Sequence, residues 1–93
     1  YPSSIRDIAI LVPRGVKVVD VMNVINVTGG QMVRDVDMFD MDEGQGIADG
    51  RKNLAFHIVY QADDRTLESK EVDDLYSRII AALEENSAWE VRK

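Results

Sequence analysis

The sequence holds no cysteine, which removes disulfides, thiolate metal sites and thiol nucleophiles together. Such a chain suits a reducing cytoplasm. Histidine is almost as scarce. His57 stands alone, so a base built on imidazole has no imidazole partner, and no catalytic constellation is visible. Long apolar runs are missing as well. Nothing approaches the roughly 20 residues that span a bilayer, and no basic-then-apolar signal segment opens the chain, so no membrane partner is expected. Positive charge is also in deficit: 11 Lys and Arg against 17 Asp and Glu leave a net charge of −6. That opposes DNA binding or indiscriminate nucleic-acid binding, whose affinity comes from neutralised phosphates.

What is present suffices for one core. The 93 residues, 45% of them apolar, make residues 1–93 a single domain of marginal size rather than a disordered segment. The opening Tyr1-Pro2-Ser3-Ser4 reads as linker, and the chain is expected to be a piece of a longer protein. Acidity gathers between residues 63 and 74, at Asp63, Asp64, Glu68, Glu71, Asp73 and Asp74. A helix face turned away from a partner can carry that charge without strong repulsion.

Ile5 to Val12 is a nearly continuous apolar run of the central-strand kind, stopped by Pro13-Arg14-Gly15. From Lys17 to Val27 the polar residues Lys17, Asp20, Asn23 and Asn26 recur every third position, which predicts a helix with Val18, Val21, Met22 and Ile25 inward. Gly29-Gly30 supplies its stop. Met32 to Met41 and Lys52 to Gln61 form a hairpin around the loop Asp42 to Arg51, which contains Gly44, Gly46 and Gly50. In the second strand Leu54, Phe56, Ile58 and Tyr60 share one face, and Asn53, Ala55, His57, Val59 and Gln61 the other. Ser69 is the expected N-cap of a helix striped by Val72, Leu75, Tyr76, Ile79, Ile80 and Leu83. Trp89 to Arg92 closes the chain as a short strand. The order β-α-β-β-α-β predicts an α+β, ferredoxin-like fold: a four-stranded antiparallel sheet with two helices on one face. Val18, Met22, Ile25, Leu54, Phe56, Ile58, Leu75, Ile79 and Leu83 are expected to share its core.

Three runs also carry a family pattern: Phe39-Asp40-Met41-Asp42, Gly50-Arg51-Lys52-Asn53-Leu54-Ala55 and Arg65-Thr66-Leu67. They resemble the ferredoxin-like anticodon-binding domain that closes the β subunit of bacterial-type phenylalanyl-tRNA synthetase. There the runs are typically Phe-Asp-Val-Tyr, Gly-x-Lys-Ser-Leu-Ala and Arg-Thr-Leu. Arg6-Asp7-Ile8 and Val91-Arg92 match as well, so the resemblance covers essentially the whole chain. It implies the same fold and a place at the C-terminus of the longer chain. It also implies phenylalanine-specific tRNA, the synthetase α subunit and the other β-subunit domains as partners. The whole enzyme would use ATP and magnesium to join phenylalanine to its tRNA. This domain would hold no cofactor, metal or catalytic residue. The chain departs from the pattern at Asp42, where the family carries tyrosine.

Other readings of the residues are weaker. Asp35/Asp37 and Asp40/Asp42 are spaced to share strand faces, which suits either a divalent cation or a solvated edge, but no calcium-loop spacing is present. Gly44-x-Gly46 leads into a strand rather than a helix, and Asp42, Glu43 and Asp49 oppose phosphate, so it reads as a hairpin loop. Lys52 to Tyr60 is faintly like the RNP1 pattern, yet alternation turns Phe56 toward the helices. RNA contact is then expected on the uncovered face, through Asp7, Ala9 and Leu11 of the first strand and Asn53, Ala55 and His57 of the third. Topology gathers Arg6, Arg34, Arg65, Arg92 and Lys93 at one rim, to grip phosphates or to pair with Asp7, Asp35, Asp63 and Asp64. A small-ligand regulatory module that pairs sheets edge to edge, and a purely architectural module, are the alternative readings.

Overall fold

Ile8, Ile10 and Val12 leave the first strand on one side and are buried, while Asp7, Ala9 and Leu11 leave it on the other. In the computed structural model, which describes residues 2–43, 47 and 50–92, this strand is β1 (Ser4–Pro13). It lies between β3 (Arg51–Tyr60) and β4 (Glu90–Arg92), with β2 (Val33–Asp42) beyond β3. All pairings are antiparallel. The apolar run at Ile5 to Val12 thus marks an interior strand, as its composition predicts.

Helices α1 (Val18–Gly29) and α2 (Ser69–Glu84) pack on the face that carries Ile8, Ile10 and Val12. Val21 and Ile25 of α1 and Val72, Leu75, Ile79 and Leu83 of α2 meet Leu54, Phe56, Ile58 and Tyr60 of β3. Val18 and Met22 are only partly buried, at the margin of this core. Phe56 is fully enclosed, so the RNP1-like reading, which needs that ring on the open face, is excluded.

The Gly29-Gly30 stop of α1 is as expected, and one local expectation, the N-cap of α2, is corrected. Gly30, at φ 58°, is the left-handed residue that stops α1, and Gly29 is still helical. Gly29 instead serves packing, since it is buried against Val33. The N-cap of α2 is Glu68 and not Ser69. The Glu68 side chain accepts from the Glu71 backbone, and Glu71 accepts from the Glu68 backbone N–H at 3.2 Å. This reciprocal pair satisfies two donors that a helix start leaves open. Tyr1, Gly44, Gly46, Asp49 and Lys93, named above, lie outside the described residues.

Candidate nucleic-acid interface

The helices cover one face of the sheet, and the side chains of the other face fall into rows set by register. One row runs Asp40, Ala55, Ala9, Arg92 across β2, β3, β1 and β4. The next rows read Asp37, His57, Asp7 on one side and Asp42, Asn53, Leu11, Glu90 on the other. The alanines leave a shallow floor between Asp40 on β2 and Arg92 on β4.

Strand β2 does not follow simple alternation. Its register against β3 slips between Val33 and Asp35 and again between Met38 and Asp40, leaving Arg34 and Phe39 as the extra residues. A bulge puts one more side chain on a face than the partner strand supplies. The second bulge turns Phe39 onto the uncovered face, where its ring stacks on His57 with centroids 3.9 Å apart and planes 12° apart. His57 is held in turn: Nδ1 donates to Asp7 Oδ1 at 2.5 Å. A carboxylate can only accept, so that nitrogen carries the proton. From the helical layer the Tyr76 hydroxyl donates to the Asp7 carbonyl at 3.0 Å. Asp7 therefore ties the two layers together. Asp7 and His57 meet as strand alternation predicts, but Phe39 was not among the expected site residues. Its signals in the sequence are its place in the run Phe39-Asp40-Met41-Asp42 and an aromatic out of phase with Val36 and Met38.

Arg6, Arg34 and Arg65 stand near the expected rim, where β1 and β2 start and β3 ends, but each is taken by a carboxylate. Arg6 lies on the helical side of β1 and pairs with Asp73 of α2 at 3.3 Å. Arg34 pairs with Asp63, and Arg65 with Glu71. This pairing raises Arg65 further and holds the Glu71 carboxyl below the usual range, chiefly through their hydrogen bond. Arg92 is absent from the rim altogether. Because β4 pairs only with Ala9–Leu11, Arg92 stands beside Ala9, well inside the sheet. It is exposed, and none of the ion pairs among the described residues includes it.

The expected polar readers divide as well. Asn53 is 8% exposed and Ala55 is 7% exposed, so neither offers much surface. The Asn53 Oδ1 is buried and has no hydrogen-bond partner among the described residues. Nearby, the Arg51 guanidinium donates to the carbonyls of Leu11 at 3.5 Å and Ala88 at 3.2 Å, fixing the turn before β4 to the sheet. Among the described residues no group of three His, Asp or Glu side chains is placed to hold a metal ion. No helix among them is long and apolar enough to cross a membrane.

Comparison with known proteins gives this face a context. Residues 1–92 match the family model for the ferredoxin-fold anticodon binding domain. The phenylalanine–tRNA ligase beta subunit of one Bacillus cereus strain is 38% identical over 93 residues, which is 100% of this chain and 12% of that protein. The beta subunit of a Synechococcus species is 40% identical over 86 residues, covering 92% of this chain and 10% of that protein. That of Colwellia psychrerythraea is 40% identical over 83 residues, covering 89% of this chain and again 10% of that protein. The chain thus spans about an eighth or less of the curated relatives it matches.

Proposed function

We propose that this chain, which belongs to the ferredoxin-fold anticodon binding domain family, holds the anticodon region of phenylalanine-specific tRNA within a phenylalanine–tRNA ligase. The observation that carries this reading is the match of residues 1–92 to that family. The domain would orient the tRNA, so that its acceptor end reaches a catalytic centre elsewhere in the enzyme. Activation of phenylalanine with ATP and magnesium would belong to that centre, as would contact with the α subunit and the other β-subunit domains. The proposed compartment is the cytoplasm, where translation draws on charged tRNA.

Within the domain, Arg92 is the cation best placed for a phosphate, since it is exposed and lies at the β4 end of the alanine floor. Arg6, Arg34 and Arg65 would join it only by exchanging a carboxylate for a phosphate. Exposed ion pairs contribute about 0–1 kcal/mol, so the exchange is inexpensive. His57 and Asp7 would present polar groups to bases, whereas Asn53 and Ala55 would act from beneath. Phosphate contacts position an RNA and base contacts specify it.

Edge-to-edge pairing, which a regulatory module of this fold would use, is opposed by β2. That edge carries two bulges and Asp35, Asp37, Asp40 and Asp42, so a second copy would face like charges. Aminoacylation kinetics of the complete enzyme across a salt series test the proposal. Arg92→Ala should lower kcat/KM for the phenylalanine tRNA and flatten the salt slope by about one unit. Unchanged kinetics in folded Arg92→Ala and His57→Ala enzymes would remove the uncovered face as the RNA site.

A further inference from the structure

We infer that the outward side of α1 is the surface by which this domain packs against a helix from another part of the same full-length polypeptide. The inference is independent of how the uncovered sheet face is used. It adds a contact of the domain itself to those assigned to the catalytic centre. Residues four apart line up along a helix, so α1 carries two ridges on opposite sides. Val21, Ile25 and Gly29 form the inward ridge, and all three are buried. Val19, Asn23 and Val27 form the outward one, and all three are exposed, Val19 at 53% and Val27 at 82%. Exposed valine is a poor choice for a helix, since β-branching restricts its rotamers and no burial offsets the loss. The outward ridge of α2 is Lys70, Asp74 and Arg78, all exposed, the ordinary composition of a helix that faces water. Charge is missing well beyond the α1 ridge. Residues 21–33 hold no charged side chain, in a chain that is 30% charged. Asp20, the sole charge within α1, sits in its first turn, where it complements the helix dipole.

This composition selects the occupant. An RNA backbone finds no cation on this stretch to neutralise its phosphates. The centres of protein interfaces are depleted in charge, and a ridge of residues four apart fits the groove of a second helix. The order valine, asparagine, valine asks for apolar or small side chains opposite Val19 and Val27. Opposite Asn23 it asks for a neutral hydrogen-bonding group, because an amide buried without a partner is costly. Area decides where that helix comes from. A helix of 12 residues is about 18 Å long and about 10 Å across, so one side of α1 offers on the order of 200 Å². Stable complexes between free proteins bury about 800 Å² on each partner, so this ridge would hold neither a second copy nor a free protein. A segment of the same polypeptide would be held, since a tether raises its effective concentration to roughly the millimolar range. The relatives extend far beyond this domain, which matches 12% of the Bacillus cereus protein.

The test uses the full-length protein with its partner subunit, carrying Val19→Cys, Val27→Cys or Ser77→Cys. Ser77 is an exposed position on α2 and serves as the reference. Modification by N-ethylmaleimide is followed peptide by peptide in a mass spectrometer. Val19→Cys and Val27→Cys should react roughly tenfold more slowly than Ser77→Cys, the factor expected of a contact closed about nine-tenths of the time. Adding Val27→Lys to Val19→Cys should restore the Ser77→Cys rate, because an unpaired charge opens the contact. At so exposed a position the same change leaves the domain folded. A photo-reactive phenylalanine analogue at Asn26, beside the ridge, then identifies the occupant. The expected cross-link leaves the mass of the subunit unchanged and maps to a helix outside this domain. A cross-link that joins two subunits, or that captures added tRNA, overturns the inference. Equal reactivity of the three cysteine variants overturns it as well.

Discussion

Gly29 lies so close to Val33 that a methyl group on its α-carbon would overlap Val33 Cγ2 and come within 2.8 Å of Val33 Cβ. The last turn of α1 and the first residue of β2 are thereby held at a separation only glycine permits. Gly29→Ala should destabilise the domain. The gain in helix propensity, about 1 kcal/mol, is outweighed by overpacking of about 1–3 kcal/mol against a branched, buried side chain. Gly15→Ala, with nothing within 4 Å, is the control and should be nearly neutral. Urea unfolding of both variants followed through Trp89 decides it.

Phe56→Ala tests the core. The ring is fully buried between the sheet and the helices, so its removal should cost roughly 3–5 kcal/mol. A loss below about 0.5 kcal/mol, the usual range for exposed positions, would be incompatible with this packing.

Tyr60→Phe should move stability the other way. The Tyr60 hydroxyl is buried without a hydrogen-bond partner among the described residues, and deleting an unsatisfied group is neutral or stabilising by up to about 1 kcal/mol. Burial, helped by Tyr76 and opposed by Arg6, raises the phenol well above its ordinary value. A raised folded pKa contributes stability that is complete below the unfolded value near roughly pH 10, and is lost as pH rises beyond it. Denaturation at pH 7 and in alkali should show Tyr60→Phe losing less than the wild type over that interval.

Glu71→Gln addresses the acid side. Hydrogen bonds from Arg65 and from the Glu68 backbone hold the Glu71 carboxyl below its usual range. A depressed folded pKa contributes stability that is present above the ordinary glutamate value and lost as pH falls through the folded one. Thermal melts in descending pH should therefore show a shallower acid decline for Glu71→Gln than for the wild type. Its effect at neutral pH should be small, because the Arg65–Glu71 pair lies at the surface, with side chains 45% and 31% exposed.

Periodicity made the fold readable. Valine and isoleucine at every second position of β1, and the stripe from Val72 to Leu83, determine which faces turn inward, and Phe56 follows from Leu54 and Ile58. Features that depend on contact across elements were not readable in the same way. A bulge changes register without changing composition, so Phe39 and Arg34 could not be assigned to a face. Arg92 was misplaced because the length of β4 relative to β1 is set by packing. The helix cap had a local clue: three residues after Ser69 stands Val72, whereas three after Glu68 stands Glu71, which can return the hydrogen bond.

Both borders of the sheet are closed to further strands by means that differ on the two sides. On β4 the outward N–H of Val91 is taken by the Glu84 carboxylate at 3.2 Å. Where β4 stops short, the Asp7 carbonyl is taken by Tyr76. On β2 the bulges and aspartates do the same work. A sheet finished in this way resists growth into fibres when copies are crowded together. Contact with other macromolecules is thereby directed to its broad surfaces.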